Sequence, residues 1–152
     1  MTIRVTTFVH ATCIALRASD KGWRGVLLRG PSGAGKSDLA LRLVEGGARL
    51  VADDQTALVR QGKILVGTSP ATLAGLLEVR GIGIVKLGRN RLLTRVPIAL
   101  LVDLVPPDRI ERLPDPAHER LLDVDLPVLA LAPFEASAPV KLRLALARTA
   151  AA

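Results

Sequence analysis

The amino-acid sequence predicts an α/β fold with a central mixed sheet flanked by helices. Short apolar runs typical of buried strands alternate along the chain with segments whose apolar residues recur at helical spacing. One apolar run leads into a glycine-rich loop and then into a helical segment, which is the order in which α/β proteins build a phosphate-binding site. With 152 residues, the chain is expected to form one domain over residues 1–152.

The first third of the chain is predicted as strand, strand, loop and helix. Residues Ile3 to Leu16 are rich in Val, Ile and Thr and indicate a first strand, and Trp23–Arg29 contains an apolar run typical of a buried strand. Three glycines and a proline within Gly30–Gly35 indicate a loop. From Ser37 the apolar residues follow helical spacing until Gly46 and its neighbouring glycine end the segment.

The next segment is predicted as a strand followed by a hairpin. Arg49 to Ala52 indicates a short buried strand that ends at two adjacent aspartates. Thr56–Val59 and Ile64–Val66 flank a polar stretch that includes Gly62, which predicts a hairpin with that glycine in its turn.

The remaining elements are less regular. Ala71–Leu77 follows a proline and predicts one or two helical turns. Glu78–Leu87 is apolar but contains two glycines, which indicates a glycine-broken loop. Val96–Leu104 and Leu126–Leu131 indicate buried strands, and the prolines between them predict an irregular connection. Pro139–Ala147 predicts a terminal helix.

Composition narrows the classes of function. The formal net charge is +7, but the basic residues are scattered along the chain, and a nucleic-acid site needs a clustered stripe with a recognisable module. The single cysteine, Cys13, excludes an intramolecular disulfide and fits a reducing compartment. We see no secretory leader and no apolar run long enough to span a bilayer. We therefore expect a cytoplasmic protein without nucleic-acid or membrane partners.

The glycine-rich loop matches the pattern G-x-x-x-x-G-K-[ST] in full, with an apolar strand before it and a helix after it. Glycines let such a loop curl so that its backbone N–H groups point at phosphate oxygens, and the helix that follows adds its positive dipole end. We call this segment the phosphate loop. Its residues are Gly30, Pro31, Ser32, Gly33, Ala34, Gly35, Lys36 and Ser37. The pattern predicts binding of a nucleoside triphosphate, with Lys36 on the β/γ-phosphates and Ser37 as a magnesium ligand.

A magnesium site in such a protein needs a carboxylate, usually at the end of an apolar strand. Asp103 ends the longest apolar run, but an aspartate there is equally an ordinary turn former. Asp53 and Asp54 repel each other, so their adjacency favours a nearby cation. One could approach the metal while the other takes a proton from a hydroxyl nucleophile. His10 is the weaker candidate, because a lone histidine near a strand is more often a core residue.

Three motifs in this order resemble the catalytic domain of the HPr kinase/phosphorylase family. They are GPSGAGKS at Gly30–Ser37, LVADD at Leu50–Asp54 and EVRGIGIV at Glu78–Val85. The last is similar to the family's signature, E-[VI]-R-G-[LI]-G-I. The resemblance implies a P-loop-containing kinase domain that transfers phosphate from ATP to a seryl residue of HPr. HPr is the small phosphocarrier protein of the sugar phosphotransferase system.

The resemblance also implies roles by position. The phosphate loop with Lys36 would hold the phosphates of ATP, and Ser37 with Glu78 would hold Mg²⁺. Asp53 or Asp54 would be the general base for the seryl hydroxyl, and the acid in the reverse reaction.

Two further residues receive roles from the same resemblance. His10 is similar to the family's histidine before a small residue and would support the base. Arg112, within Glu111–Pro114, resembles the arginine of the family's D-R-L-G segment and would neutralise charge on the transferring phosphate.

The sequence departs from the family in ways that change the expectations. Members commonly carry an N-terminal domain, so the resemblance is to the catalytic C-terminal domain in a short form. The family's flexible basic loop, used in the phosphorylase reaction, corresponds to Pro133–Pro139, which contains Glu135 and no Arg or Lys. We therefore expect weak or absent phosphorylase activity. Members of the family form a ring of six subunits. The resemblance therefore implies a homo-oligomer, with a hexamer as the expected form.

Two other functions are left open by the sequence. A small P-loop kinase acting on a metabolite usually carries a lid with paired arginines, which we do not identify here. A non-enzymatic ATP-binding regulatory module would bind ATP without needing Asp53 or Asp54. The chain has no N-K-x-D guanine motif, which disfavours a GTPase.

Overall fold

A computed structural model of the chain describes residues 5–18 and 22–150. Within these residues the strands are β1 Thr6–Val9, β2 Ala11–Arg17, β3 Trp23–Arg29, β4 Arg49–Ala52, β5 Thr56–Gln61, β6 Ile64–Thr68, β7 Leu76–Val79, β8 Gly83–Lys86, β9 Arg95–Leu104, β10 Ala117–Leu121 and β11 Val124–Leu131. The α-helices are α1 Lys36–Glu45 and α2 Ala138–Ala150. No helix in the described part of the chain is long and apolar enough to cross a membrane.

The central sheet is mixed, which confirms the predicted fold class. Nine strands form it, in the order β1-β5-β6-β9-β3-β2-β4, and β11 joins at β9 with β10 at its outer side. β3, β9 and β11 run parallel to one another, whereas β2 is antiparallel to both β3 and β4. The three parallel strands therefore end at the same edge of the sheet, which is where α/β proteins bind their ligands.

Both helices pack on one face of this sheet. Side chains alternate between faces along β3, so that Val26 and Leu28 pack in the cluster with α1 and α2, whereas Leu27 packs in a second cluster on the other face. Leu39 and Leu142, one from each helix, are fully buried in the first cluster. The second cluster is built from strands and the loops beside them, without a helix among the described residues. This packing fixes the start of α1 against the end of β3.

Several local features differ from the prediction. The expected first strand is two strands, because the chain bends at His10. Before the bend β1 pairs with β5, and after it β2 pairs with β3 and β4. Residues 3–4 of the prediction lie outside the described residues. Ala71–Leu73 forms a 3₁₀ turn, but Leu76 and Leu77 already belong to β7. β10 falls between two predicted elements and was missed, because its charged residues lack an apolar pattern.

The segment predicted as a glycine-broken loop is a β-hairpin. β7 and β8 pair antiparallel as a separate two-stranded sheet, with Glu78 opposite Ile84. Gly81 in the turn has φ 88°, and Gly83, where β8 begins, has φ 124°, a region that side chains avoid. The glycines therefore make the turn of the hairpin rather than break a strand. Leu77 is fully buried against the helix-side core and anchors the hairpin to the sheet.

Candidate active site

The phosphate loop connects the carboxyl end of β3 to the first turn of α1, as the motif predicts. Gly33 and Gly35 adopt φ values of 84° and 103°, which only glycine takes without strain. Lys36 is only 5% exposed. Its ammonium donates hydrogen bonds to the carbonyls of Gly30, at 2.6 Å, and Pro31, at 3.2 Å. The lysine is thus held inside the curve of the loop, at the positive end of α1.

Asp53 joins the phosphate loop to two other elements. Its Oδ1 accepts hydrogen bonds from the hydroxyl of Ser37, at 2.8 Å, and from that of Thr12 on β2, at 3.0 Å. Its Oδ2 accepts one from the backbone N–H of Glu78 on β7, at 3.0 Å. In P-loop proteins the loop serine or threonine and an acidic residue together hold Mg²⁺. These three bonds leave the carboxylate little freedom to turn.

Asp54 faces the solvent beside the same loop. Its backbone is left-handed, with φ 62°, and its N–H donates to the Thr12 hydroxyl at 2.9 Å. The Asp54 side chain is 59% exposed, with Oδ1 at 2.7 Å from Nε2 of His10 and 3.5 Å from the ammonium of Lys36. The left-handed turn explains why two adjacent aspartates diverge, one toward Ser37 and the other toward His10.

Asp103, the alternative metal ligand, forms an ion pair with Arg29. Arg29, the last residue of β3, donates from Nε to Asp103 Oδ1 at 2.8 Å and from Nη2 to Oδ2 at 3.2 Å. The same guanidinium donates to both carboxylate oxygens of Glu119 on β10, at 2.6 and 2.9 Å. Asp103 therefore fixes the strand end that precedes the phosphate loop through its pairing with Arg29.

The ion cluster of Arg29 makes acid stability depend on Glu119. The hydrogen bond from Arg29 lowers the pKa of Glu119 below its ordinary value of 4.5, against a smaller opposing effect of burial. A carboxylate with a lowered folded-state pKa stabilises the fold above its unfolded pKa, and this contribution is lost as pH falls through the folded pKa. We expect Glu119→Gln to be less stable than the wild type at neutral pH and to lose less stability on acidification.

Urea unfolding at neutral pH and at several pH values below 4.5 measures this effect. Glu111→Gln is the control, because Glu111 is an exposed carboxylate without an ion pair among the described residues. If the two variants show the same dependence of unfolding free energy on pH, the ion cluster does not contribute in the way argued.

Arg80 lies near the phosphate loop, and the sequence reasoning did not single it out. It lies in the turn that follows β7, and its Nη2 is 3.9 Å from the position a Cβ would take on Gly33 of the phosphate loop. Its cationic group therefore lies beside Gly33 of the phosphate loop. The signal was present in the Glu-Val-Arg sequence of the hairpin, but only the fold of that hairpin brings the arginine to the loop.

Comparison with known proteins identifies the family of this chain. The family model of the HPr Serine kinase C-terminal domain matches residues 5–140. The chain belongs to this family. The matched region contains the phosphate loop, both aspartates and the β7–β8 hairpin.

Individual members of the HPr kinase family are similar over most of this chain. HPr kinase/phosphorylase of Geobacillus kaustophilus is 38% identical over 135 residues, covering 83% of this chain and 42% of the relative. That of Lactiplantibacillus plantarum is 40% identical over 116 residues, covering 70% of this chain and 37% of the relative. The chain thus spans about two fifths of the length of these relatives.

A solved structure of the family has the same fold. The Hpr(Ser) kinase/phosphatase from Coxiella burnetii matches with a TM-score of 0.78 and 27% sequence identity, over 95% of this chain and 90% of that one. The match confirms the mixed α/β architecture expected for an HPr kinase domain.

Two of the residues expected in an HPr kinase site, Glu78 and Arg112, have exposed side chains in the structure. Glu78 contributes its backbone N–H to Asp53, while its side chain is exposed at the start of the hairpin. Arg112 lies in the connection between β9 and β10 and, within residues 5–18 and 22–150, makes no side-chain hydrogen bond or ion pair. The structure therefore brings His10, Lys36, Ser37, Asp53 and Asp54 together, and Arg112 stays a prediction.

The oxygen donors around Ser37 fit a magnesium ion. Mg²⁺ prefers hard oxygen ligands and is usually held by one or two carboxylates together with substrate phosphates. The Ser37 hydroxyl and the Asp53 carboxylate are 2.8 Å apart. Glu78 on β7 is next to them, because its own backbone N–H donates to Asp53. These residues of the HPr kinase domain are the ones that would hold the ion.

Proposed function

We propose that this chain is the kinase domain of an ATP- and Mg²⁺-dependent enzyme that phosphorylates a seryl residue of an HPr-like phosphocarrier protein. The observation that carries the proposal is the convergence of three segments on one point. Asp53 bonds to Ser37 of the phosphate loop and to the backbone of Glu78, and Asp54 lies beside Lys36. Family membership supports the same activity. The relatives that match carry the name HPr kinase/phosphorylase.

The phosphate loop and Lys36 bind and orient the triphosphate in this proposal. The backbone N–H groups of a loop curled by Gly33 and Gly35 point at phosphate oxygens, and the dipole of α1 adds partial positive charge. Lys36 exchanges its contacts with loop carbonyls for the β/γ-phosphates. Ser37 and Asp53 would hold Mg²⁺, which when bound would supply positive charge close to the phosphoryl oxygens.

Asp54 is the proposed general base. A seryl hydroxyl is a weak nucleophile, and a positioned carboxylate helps by accepting its proton. Asp53 has both oxygens engaged by three donors, whereas Asp54 is exposed to an incoming hydroxyl. His10, 2.7 Å from Oδ1 of Asp54, holds that carboxylate in place and is a positioning residue.

The experiment that tests the proposed function is transfer of radiolabel from γ-labelled ATP to purified HPr in the presence of Mg²⁺. We expect label on a serine of HPr, and none on an HPr variant in which that serine is alanine. A panel of sugars and nucleosides in place of HPr serves as the comparison. Label on a small molecule, or ATP binding without any transfer by the folded chain, would contradict the proposal.

The reverse reaction is expected to be weak. In the segment Pro133–Pro139, the only charged side chain is that of Glu135, and it pairs with Lys141 at 2.8 Å. The segment therefore offers no free positive charge to inorganic phosphate. We expect release of seryl phosphate from phosphorylated HPr by inorganic phosphate to be slower than phosphorylation at the same enzyme concentration, and Glu135→Gln to narrow the gap. Equal forward and reverse rates in the wild type would contradict this expectation.

A further inference from the structure

An exposed aromatic ring lies directly on the phosphate loop. Phe134 belongs to the segment between β11 and α2, residues 132–137, which we call the Phe134 loop. A Cβ placed on Gly35 would lie 2.9 Å from Cζ of Phe134 and 3.2 Å from Cγ of Pro133. The ring therefore rests on the backbone of Gly35, while 69% of the Phe134 residue surface is exposed to solvent.

The backbone of the Phe134 loop is held firmly even though its ring is exposed. Arg42 of α1 donates hydrogen bonds to the carbonyls of Pro133 and Glu135. The N–H of Ala138 donates to the Glu135 carbonyl at 3.0 Å. The Arg42 bonds tie the loop to α1, the helix whose first turn contains Lys36 and Ser37 of the phosphate loop, and the Ala138 bond holds it to the start of α2. A large apolar side chain on a rigid backbone, left in solvent, is suited to contact a ligand, because little order has to be gained on binding.

The topology places this ring where a nucleotide base can reach it. β3 and β11 are both parallel to β9, so the phosphate loop and the Phe134 loop leave the same edge of the sheet. The base of a nucleotide whose phosphates lie in the phosphate loop extends along that edge. Trp23 stands at the opposite end of β3, enclosed by Arg17 and Arg49, whose guanidinium carbons are 5.1 and 4.8 Å from its ring centre.

We propose that Phe134 is the surface on which the base of the bound nucleotide stacks. The inference rests on the proposed use of a nucleoside triphosphate and adds the residue that holds its base. The interaction is between two flat rings, which depends on the π-face common to all bases rather than on their hydrogen-bonding edges. The site consequently distinguishes ATP from a triphosphate without a base much more strongly than it distinguishes ATP from GTP.

The test compares binding of ATP with binding of inorganic tripolyphosphate, by calorimetry with Mg²⁺ and the full chain. We expect Phe134→Ala to weaken ATP binding about 5- to 100-fold, the range found when a stacking aromatic is removed, and to leave tripolyphosphate binding unchanged. Phe134→Trp should bind ATP at least as tightly as the wild type. Its added fluorescence, measured against the wild type with Trp23 alone, should be quenched by ATP but not by tripolyphosphate.

Leu144→Ala is the matched control, because Leu144 is a similarly exposed apolar residue on α2. Equal loss of ATP and tripolyphosphate binding in Phe134→Ala would mean that the ring only shapes the phosphate loop, and would overturn the inference. Unchanged ATP binding together with a lower oligomer mass in light scattering would assign the ring to a subunit contact and overturn it as well. Wild-type protein that binds ATP but transfers no phosphate to HPr would overturn the proposed function and leave this inference standing.

Discussion

Asp54→Asn is expected to lower the turnover of seryl phosphorylation about 10²- to 10⁴-fold, the usual contribution of a general base. The amide keeps the size of the side chain and a contact with His10, but it cannot accept the proton of the seryl hydroxyl. Nucleotide affinity should stay close to that of the wild type, because the substitution leaves intact the phosphate loop and Lys36, which bind the triphosphate in this proposal. Steady-state kinetics and direct ATP binding, measured on the same preparation, separate the two effects.

Asp123→Asn is the matched control for this prediction. Asp123 is also an exposed aspartate in a left-handed turn, with the same φ of 62° as Asp54, and it pairs with Arg60 and Arg120 away from the phosphate loop. Substitution there should leave turnover unchanged. If Asp54→Asn retains wild-type turnover, Asp54 is not the base, and a regulatory ATP-binding module becomes the better account.

Asp53→Asn is expected to act through the metal. The side chain would present an NH₂ group to donors that now share its two oxygens, the hydroxyls of Ser37 and Thr12 and the N–H of Glu78. One of these three donors then faces the NH₂ group, which is itself a donor. The negative charge next to the metal position is also lost. We expect the Mg²⁺ concentration for half-maximal activity to rise at least about 10- to 100-fold, the effect seen when a partner of a metal ligand is removed.

Titration of activity with Mg²⁺ measures this shift. In Asp54→Asn the half-maximal Mg²⁺ concentration should stay near that of the wild type even though turnover falls. The proposed roles, Asp53 as a metal ligand and Asp54 as the general base, would be contradicted if both variants shifted the Mg²⁺ dependence equally, or if only Asp54→Asn did so.

The parts of the molecule that the sequence predicts are those specified by neighbouring residues. The phosphate loop is encoded by glycines at fixed spacing between an apolar run and a helical run, and β3, β9 and α1 follow from local periodicity. The hairpin of β5 and β6 likewise follows from Gly62, which adopts φ 63° in its turn. In each case the residues that decide the structure lie within one element or its turn.

The parts that could not be predicted depend on residues far apart in the chain. Asp103 looked like a metal ligand because it ends the longest apolar strand, and only its pairing with Arg29, 74 residues earlier, excludes it. The contact of Phe134 with Gly35 depends on β11 lying parallel to β9, which no local pattern specifies. The different surroundings of Asp53 and Asp54 depend on the left-handed turn at Asp54, which directs the two carboxylates apart.

The most direct test of the account is a crystal structure of the chain with Mg²⁺ and a non-hydrolysable ATP analogue. We expect one magnesium ion bound by the Ser37 hydroxyl and the Asp53 carboxylate at about 2.0–2.1 Å. We also expect the Asp54 carboxylate to face the γ-phosphate across the space open to a seryl hydroxyl. A metal held by Asp54 with Asp53 turned away, or a nucleotide bound outside the phosphate loop, would contradict the account.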